Sequence, residues 1–84
     1  MGGLNTGQTI LDGDFNDYTR TGTYKVTFAA EAYVKNSPEA DVYGILIVFA
    51  SVDTYIGQIL LNGISDLYWV RVKKSKGWGN WKNV

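Results

Sequence analysis

Apolar and polar residues alternate most clearly over Thr23–Phe28, where Tyr24, Val26 and Phe28 share one side and Thr23, Lys25 and Thr27 the other. A period of two is the mark of a strand with one buried face. Ala29-Ala30-Glu31-Ala32 blurs that pattern, and Tyr33-Val34 fits a continued or bulged strand. Ile45-Leu46-Ile47-Val48-Phe49 is an unbroken apolar run between Gly44 and Ser51, which predicts a central strand covered on both faces. Tyr55–Leu61 predicts another strand, interrupted by Gly57 and Gln58. Leu67–Lys74 alternates again, with Tyr68, Val70 and Val72 against Trp69, Arg71 and Lys73.

The punctuation between these runs is that of turns. Asn36–Asp41 holds the only proline, which has no N–H for a strand ladder. Val52-Asp53-Thr54, Asn62-Gly63 and Ser75-Lys76-Gly77 close further turns, and Asn-Gly is a strong signal because both residues tolerate positive φ. Near the start, Asp14-Phe15-Asn16-Asp17 predicts one short helical turn with Asp14 as N-cap and Asp17 in the position of a capping-box acid. No helical pattern runs for ten residues. The fold expected is mainly β, with α+β as the variant: a small antiparallel sheet of four to five strands and one short helical turn near the N-terminus. Residues 1–9 read as a loose lead-in, and 10–84 as one domain. Tyr24, Val26, Phe28, Leu46, Val48, Ile59, Val70 and Val72 are the expected core.

Composition narrows the function. At 84 residues the chain is a single domain with a thin core. It has no Cys and no His. Disulfides, thiolate metal sites and the usual near-neutral acid–base catalyst are therefore excluded. With no Gly-x-Ser-x-Gly either, nucleophilic catalysis has no visible base. Asp14 and Asp17 sit in a polar turn that offers no burial to raise a carboxyl pKa, so capping explains them better than glycosidase chemistry. Asp12-Gly13-Asp14 is too short for a calcium loop, and the other acids are scattered. The expectation is a non-enzyme without cofactor or metal. The longest apolar run, Ile45–Ala50, is too short to span a bilayer, and Met1-Gly2-Gly3 does not begin a secretory signal.

Net charge is zero but unevenly spread. Residues 1–66 carry eight acidic and three basic groups, whereas 67–84 carry Arg71, Lys73, Lys74, Lys76 and Lys82 and no acid. Such an end is a solvated strand face, half of a head-to-tail match, or an anion-binding patch. Trp78 and Trp81 read first as core fillers and second as platforms for a sugar ring, with Trp69 and Arg71 beside them on the preceding strand. A basic tail with three tryptophans also suits single-stranded nucleic acid, but the acidic remainder and a pI near 6.1 argue against it.

Tyr68-Trp69-Val70-Arg71-Val72 followed by Gly77-Trp78-Gly79-Asn80-Trp81-Lys82-Asn83-Val84 resembles the close of the pyocin knob domain, found in tail fibres of phages and phage-like bacteriocins. Earlier landmarks follow in the same order. Asp14-Phe15-Asn16-Asp17 is similar to that family's Asp-Leu-Asn-Asp opening, and Thr21-Gly22-Thr23-Tyr24 to its first-strand entry. Asn36-Ser37-Pro38, Gly44-Ile45-Leu46-Ile47-Val48 and Gln58-Ile59 match its loop and next strands. The resemblance covers about residues 10–84; Phe15 and the basic Lys73-Lys74-Ser75-Lys76 depart from it. It implies one domain of a longer fibre protein in a virion or phage-tail-like particle. The implied partners are other fibre chains, as a trimer. A host cell-surface glycan held by Trp78, Trp81, Trp69 and Arg71 is the ligand that the aromatic side chains themselves suggest. The resemblance names no target, because knobs in this family space, stabilise or bind. It implies neither nucleic-acid binding nor membrane insertion. A carbohydrate-binding β module of other origin is the alternative, ahead of a small nucleic-acid-binding β domain.

Overall fold

The computed structural model describes residues 5–10, 13–29, 34–52 and 54–84. Its long strands are β3 (Gly22–Phe28), β5 (Val42–Val52), β6 (Tyr55–Asn62) and β7 (Leu67–Lys74). Short pieces surround them: β1 (Asn5–Ile10), β2 (Gly13–Asp14), β4 (Val34–Lys35), β8 (Gly77–Trp78) and β9 (Lys82–Asn83). The main sheet has seven strands in the order β1-β3-β5-β6-β7-β8, with β9 also on β7. That exceeds the four to five expected. Two-residue strands carry no periodicity to read, and residues 5–9, expected as lead-in, form with Ile10 an edge strand. That edge also departs from an all-antiparallel sheet, because β1 runs parallel to β3. Strands β3, β5, β6 and β7 pair antiparallel as expected. The predicted continuation of β3 through residues 30–33 lies outside the described residues.

The two faces of the sheet differ. The inner face carries Tyr24, Val26 and Phe28 of β3, Val42, Leu46 and Val48 of β5, and Ile56 and Leu60 of β6, all buried. Over it lies a lid made of the 3-10 turn Phe15–Asp17, the parallel β2–β4 pair and the C-terminal tryptophans. Phe15 is fully buried and meets Tyr18, Phe28 and Trp81 edge to face. Asp14 caps the turn as predicted, its carboxylate accepting from the Asn16 N–H at 2.8 Å. Gly44 sits where β5 and β6 press closest: a Cβ there would overlap the Leu61 carbonyl.

Three expected core residues lie on the opposite, outer face. Ile59 and Val70 are half-buried there and Val72 is exposed, because Gln58 and Arg71 take the inward positions. The apolar run of β5 is central in the sheet, but on its outer side no described residue covers Ile45 and Phe49, which are exposed. Strand register sets Ile45, Leu61 and Tyr68 in one outer row. Ile47, Ile59 and Val70 form the next, and Phe49, Gly57 and Val72 the third.

Candidate functional site

Of the four residues singled out as a ligand platform, the structure gathers three. Trp69 and Arg71 point inward from β7, and the chain after β8 folds back so that Trp78 and Trp81 flank Arg71. The guanidinium carbon lies 4.0 Å from the Trp78 ring centroid and 4.6 Å from that of Trp81. This is a desolvated double cation–π clamp. Arg71 Nε donates to Gln58 Oε1 at 2.8 Å, and Gln58 Nε2 donates to the carbonyls of Phe15 and Tyr18. A charged strand residue thereby reaches through one amide to hold the backbone of the lid.

Burial pulls the Arg71 pKa down to about 10, with Asp14 nearby opposing the shift, so the side chain stays cationic at neutral pH. Its Nη2 is buried with no hydrogen-bond acceptor among the described residues. The Trp81 indole N–H donates to the Asn36 carbonyl at 2.7 Å, and Asn36 Nδ2 donates to Asp14 Oδ1 at 2.8 Å. Asn36 adopts the left-handed conformation that this arrangement requires. The Asn36 bond, then the Asn16 N–H, hold the Asp14 carboxyl below its ordinary range.

Trp69 belongs to a second cluster. Its indole N–H donates to Glu39 Oε2 at 2.9 Å, and that oxygen also accepts from Asn62 Nδ2 and Ser65 Oγ. Asn62, expected as a turn residue with positive φ, is instead the buried last residue of β6. Its Oδ1 accepts from the Tyr43 and Ile64 N–H groups, and its Nδ2 also donates to the Asp41 carbonyl. The positive φ of this connection falls on Asp66. Glu39, read from sequence as a scattered loop acid, is the hub. Burial raises its pKa, but the bonds from Ser65, Asn62 and Trp69 outweigh that and leave it below its ordinary 4.5.

A carboxyl depressed in the folded state stabilises the fold above its unfolded pKa, and that stabilisation is lost as pH falls through the folded value. The unfolding midpoint is therefore expected to drop on acidification below about 4.5. Glu39→Gln should flatten this part of the profile. An unchanged acid limb in Glu39→Gln, measured by thermal melts from pH 6 to pH 2, would show that the hub contributes nothing.

No group of His, Cys, Asp or Glu among the described residues could hold a metal ion. No described helix is long and apolar enough to cross a membrane. The edge of the sheet does carry a cavity. Between Gly79, whose N–H bonds the Val72 carbonyl, and β9 the chain leaves the ladder, and a cleft of about 240 Å³ there is lined by Val70, Val72, Lys74, Gly79, Asn80 and Lys82. Periodicity could not locate it, because it depends on where the last residues leave the ladder.

No family model matches the sequence, and neither does any curated protein. Solved structures do match the fold. An N-truncated R2-type pyocin tail fibre superposes at TM-score 0.84 with 19% identity, over 99% of this chain and 34% of that one. A C-terminal fragment of the P. aeruginosa R1 pyocin fibre superposes at TM-score 0.80 with 19% identity, over 96% of this chain and 22% of that one. The fold is thus the one the sequence resemblance implied. The chain spans about a third or less of each fibre it matches.

Proposed function

We propose that this chain is a structural module of a tail fibre in a phage or phage-tail-like particle, assembled with other fibre chains as a trimer. The observation that carries the reading is the superposition of nearly the whole chain on one part of a much longer fibre chain. The reading assigns no catalysis to the domain and no nucleic-acid partner. Electron microscopy tests it. Antibodies raised against the 84-residue chain should decorate the tail fibres of particles released by the producing cells. Bare particles with label only on free protein would overturn it.

Attachment to a host-surface glycan is a second role, and the cleft beside β7 favours it over the tryptophans. The inward faces of Trp78 and Trp81 are occupied by Arg71, whereas Lys74 and Lys82 are exposed around an apolar floor. Pockets that hold small ligands combine such a floor with a few polar groups. An acidic glycan should bind the chain on an array and lose binding in Lys74→Glu/Lys82→Glu. Binding that survives both changes, or no binding to any glycan, would remove this role.

A further inference from the structure

We propose that Asn62-Gly63 is a latent self-modification site: the folded corner blocks its deamidation, and deamidation of an opened chain makes the opening irreversible. The inference does not depend on the fibre reading.

Asparagine followed by glycine is the dipeptide best disposed to this reaction, because glycine has no Cβ to hinder ring closure. The Gly63 nitrogen, its proton taken by hydroxide, attacks Asn62 Cγ. A C–N bond forms, the Cγ–Nδ2 bond breaks, and Nδ2 leaves as ammonia with a proton from solvent. Water then opens the five-membered imide at either carbonyl, leaving aspartate or isoaspartate in place of Asn62. The balance is one water consumed and one ammonia released, with no change of oxidation state.

In the fold each participant is held away from that path. Asn62 is 1% exposed, and its amide makes four hydrogen bonds, its full capacity. Nδ2, the leaving group, donates to Glu39 Oε2 at 3.0 Å and to the Asp41 carbonyl at 2.8 Å. Oδ1 accepts from the Tyr43 and Ile64 N–H groups at 3.2 and 3.0 Å. Cγ cannot turn toward the Gly63 nitrogen without breaking these bonds. The attacking nitrogen is tied as well, its N–H donating to the Tyr43 carbonyl at 2.9 Å. Gly63 itself is exposed, so hydroxide reaches it; the folded state removes motion, not solvent.

The same bonds explain why so labile a pair stands here. Only a short carboxamide offers two donors and two acceptors at this reach. A Cβ at Gly63 would lie 3.0 Å from the Tyr43 carbonyl oxygen, tighter than an ordinary contact. The product, by contrast, does not fit. A carboxylate has no donor where Nδ2 stood, so it would oppose Glu39 Oε2 and the Asp41 carbonyl with another acceptor, and set like charges side by side. Isoaspartate also adds a carbon to the main chain at the end of β6. A chain that has opened and converted therefore cannot close this corner again.

Asn36, Asn80 and Asn83 are exposed and serve as internal references. In mildly alkaline buffer, peptide mass mapping of the 84-residue chain should find them converting before Asn62. In concentrated guanidinium chloride the order should reverse. Asn62 should then convert first, about a thousandfold or more faster than in buffer, a ratio set by the small fraction of native chains that are open. Chains converted at Asn62 alone and returned to buffer should melt about 10 °C or more below unconverted chains carried through the same steps. Asn62→Asp, which supplies the acid without the added main-chain carbon, should melt as low or fail to fold. Conversion of Asn62 first in buffer overturns the protection, and a lag behind the references in denaturant overturns the latency. A wild-type melting temperature in the converted chains or in Asn62→Asp overturns the irreversibility.

Discussion

Phe15→Ala is expected to cost about 3–5 kcal/mol, the range for emptying a buried aromatic site. A domain of this size has a total stability near the lower end of about 5–15 kcal/mol, so the variant should be largely unfolded at modest urea concentration. The reason lies in the position of the ring. Phe15 is fully buried at the centre of the lid and touches Tyr18, Phe28 and Trp81. Its backbone carbonyl also receives the Gln58 amide, so the void would loosen the junction of lid and sheet. Phe15→Leu should recover most of the loss, because it refills most of the volume. Urea titration followed by tryptophan fluorescence measures both variants. A loss below about 1 kcal/mol in Phe15→Ala would mean that the lid is not part of the cooperative core.

Arg71→Lys is expected to cost about 2–4 kcal/mol, nearly as much as Arg71→Ala. A lysine can place an ammonium near one indole. It cannot stack a plane between two and also donate sideways to Gln58. It would leave Gln58 Oε1 buried without its donor, a penalty of about 1–3 kcal/mol. Arg71→Met should cost less than Arg71→Lys, because it fills the space between Trp78 and Trp81 and removes a charge whose burial is unfavourable. Wild-type stability in Arg71→Lys would show that charge alone, not the planar clamp, holds the tryptophans.

These two residues mark the limit of what the chain discloses before it is folded. The Asp14 cap and the buried face of β3 were legible, because a cap is a local device and only one side of that strand is apolar. In β7 the alternation gave the period but not its direction. Tyr68, Val70 and Val72 are the more hydrophobic set, yet Trp69 and Arg71 face the core, because the lid closes over that side and offers indole rings to a guanidinium. Gln58 looked like an interruption of β6 and is instead the amide that joins sheet and lid. Asn62-Gly63 correctly marked the place of a turn, but Asn62 acts through its side chain and the strained backbone lies at Asp66. The unbroken apolar run of β5 predicted cover on both faces, whereas among the described residues only its inner side chains, Leu46 and Val48, are buried. Of the proposed ligand residues, three proved to be neighbours and Trp69 was tied to Glu39. The cleft and the outer face had no motif, since each is made by register between strands.

The two ends of the sheet are not alike, and this bears on aggregation. Beyond β7 the ladder continues only as β8 and β9, two residues each, with Gly79 still bonded to the Val72 carbonyl and residues 80–81 outside the ladder between them. An incoming strand finds no straight run of free N–H and C=O groups on that side. The β1 side, by contrast, ends in a six-residue strand. Stacking into a cross-β filament needs both edges of every subunit to accept a neighbour. A copy added along β1 would therefore end the ladder instead of extending it, leaving the protein protected against runaway edge-to-edge polymerisation even when many copies are crowded together.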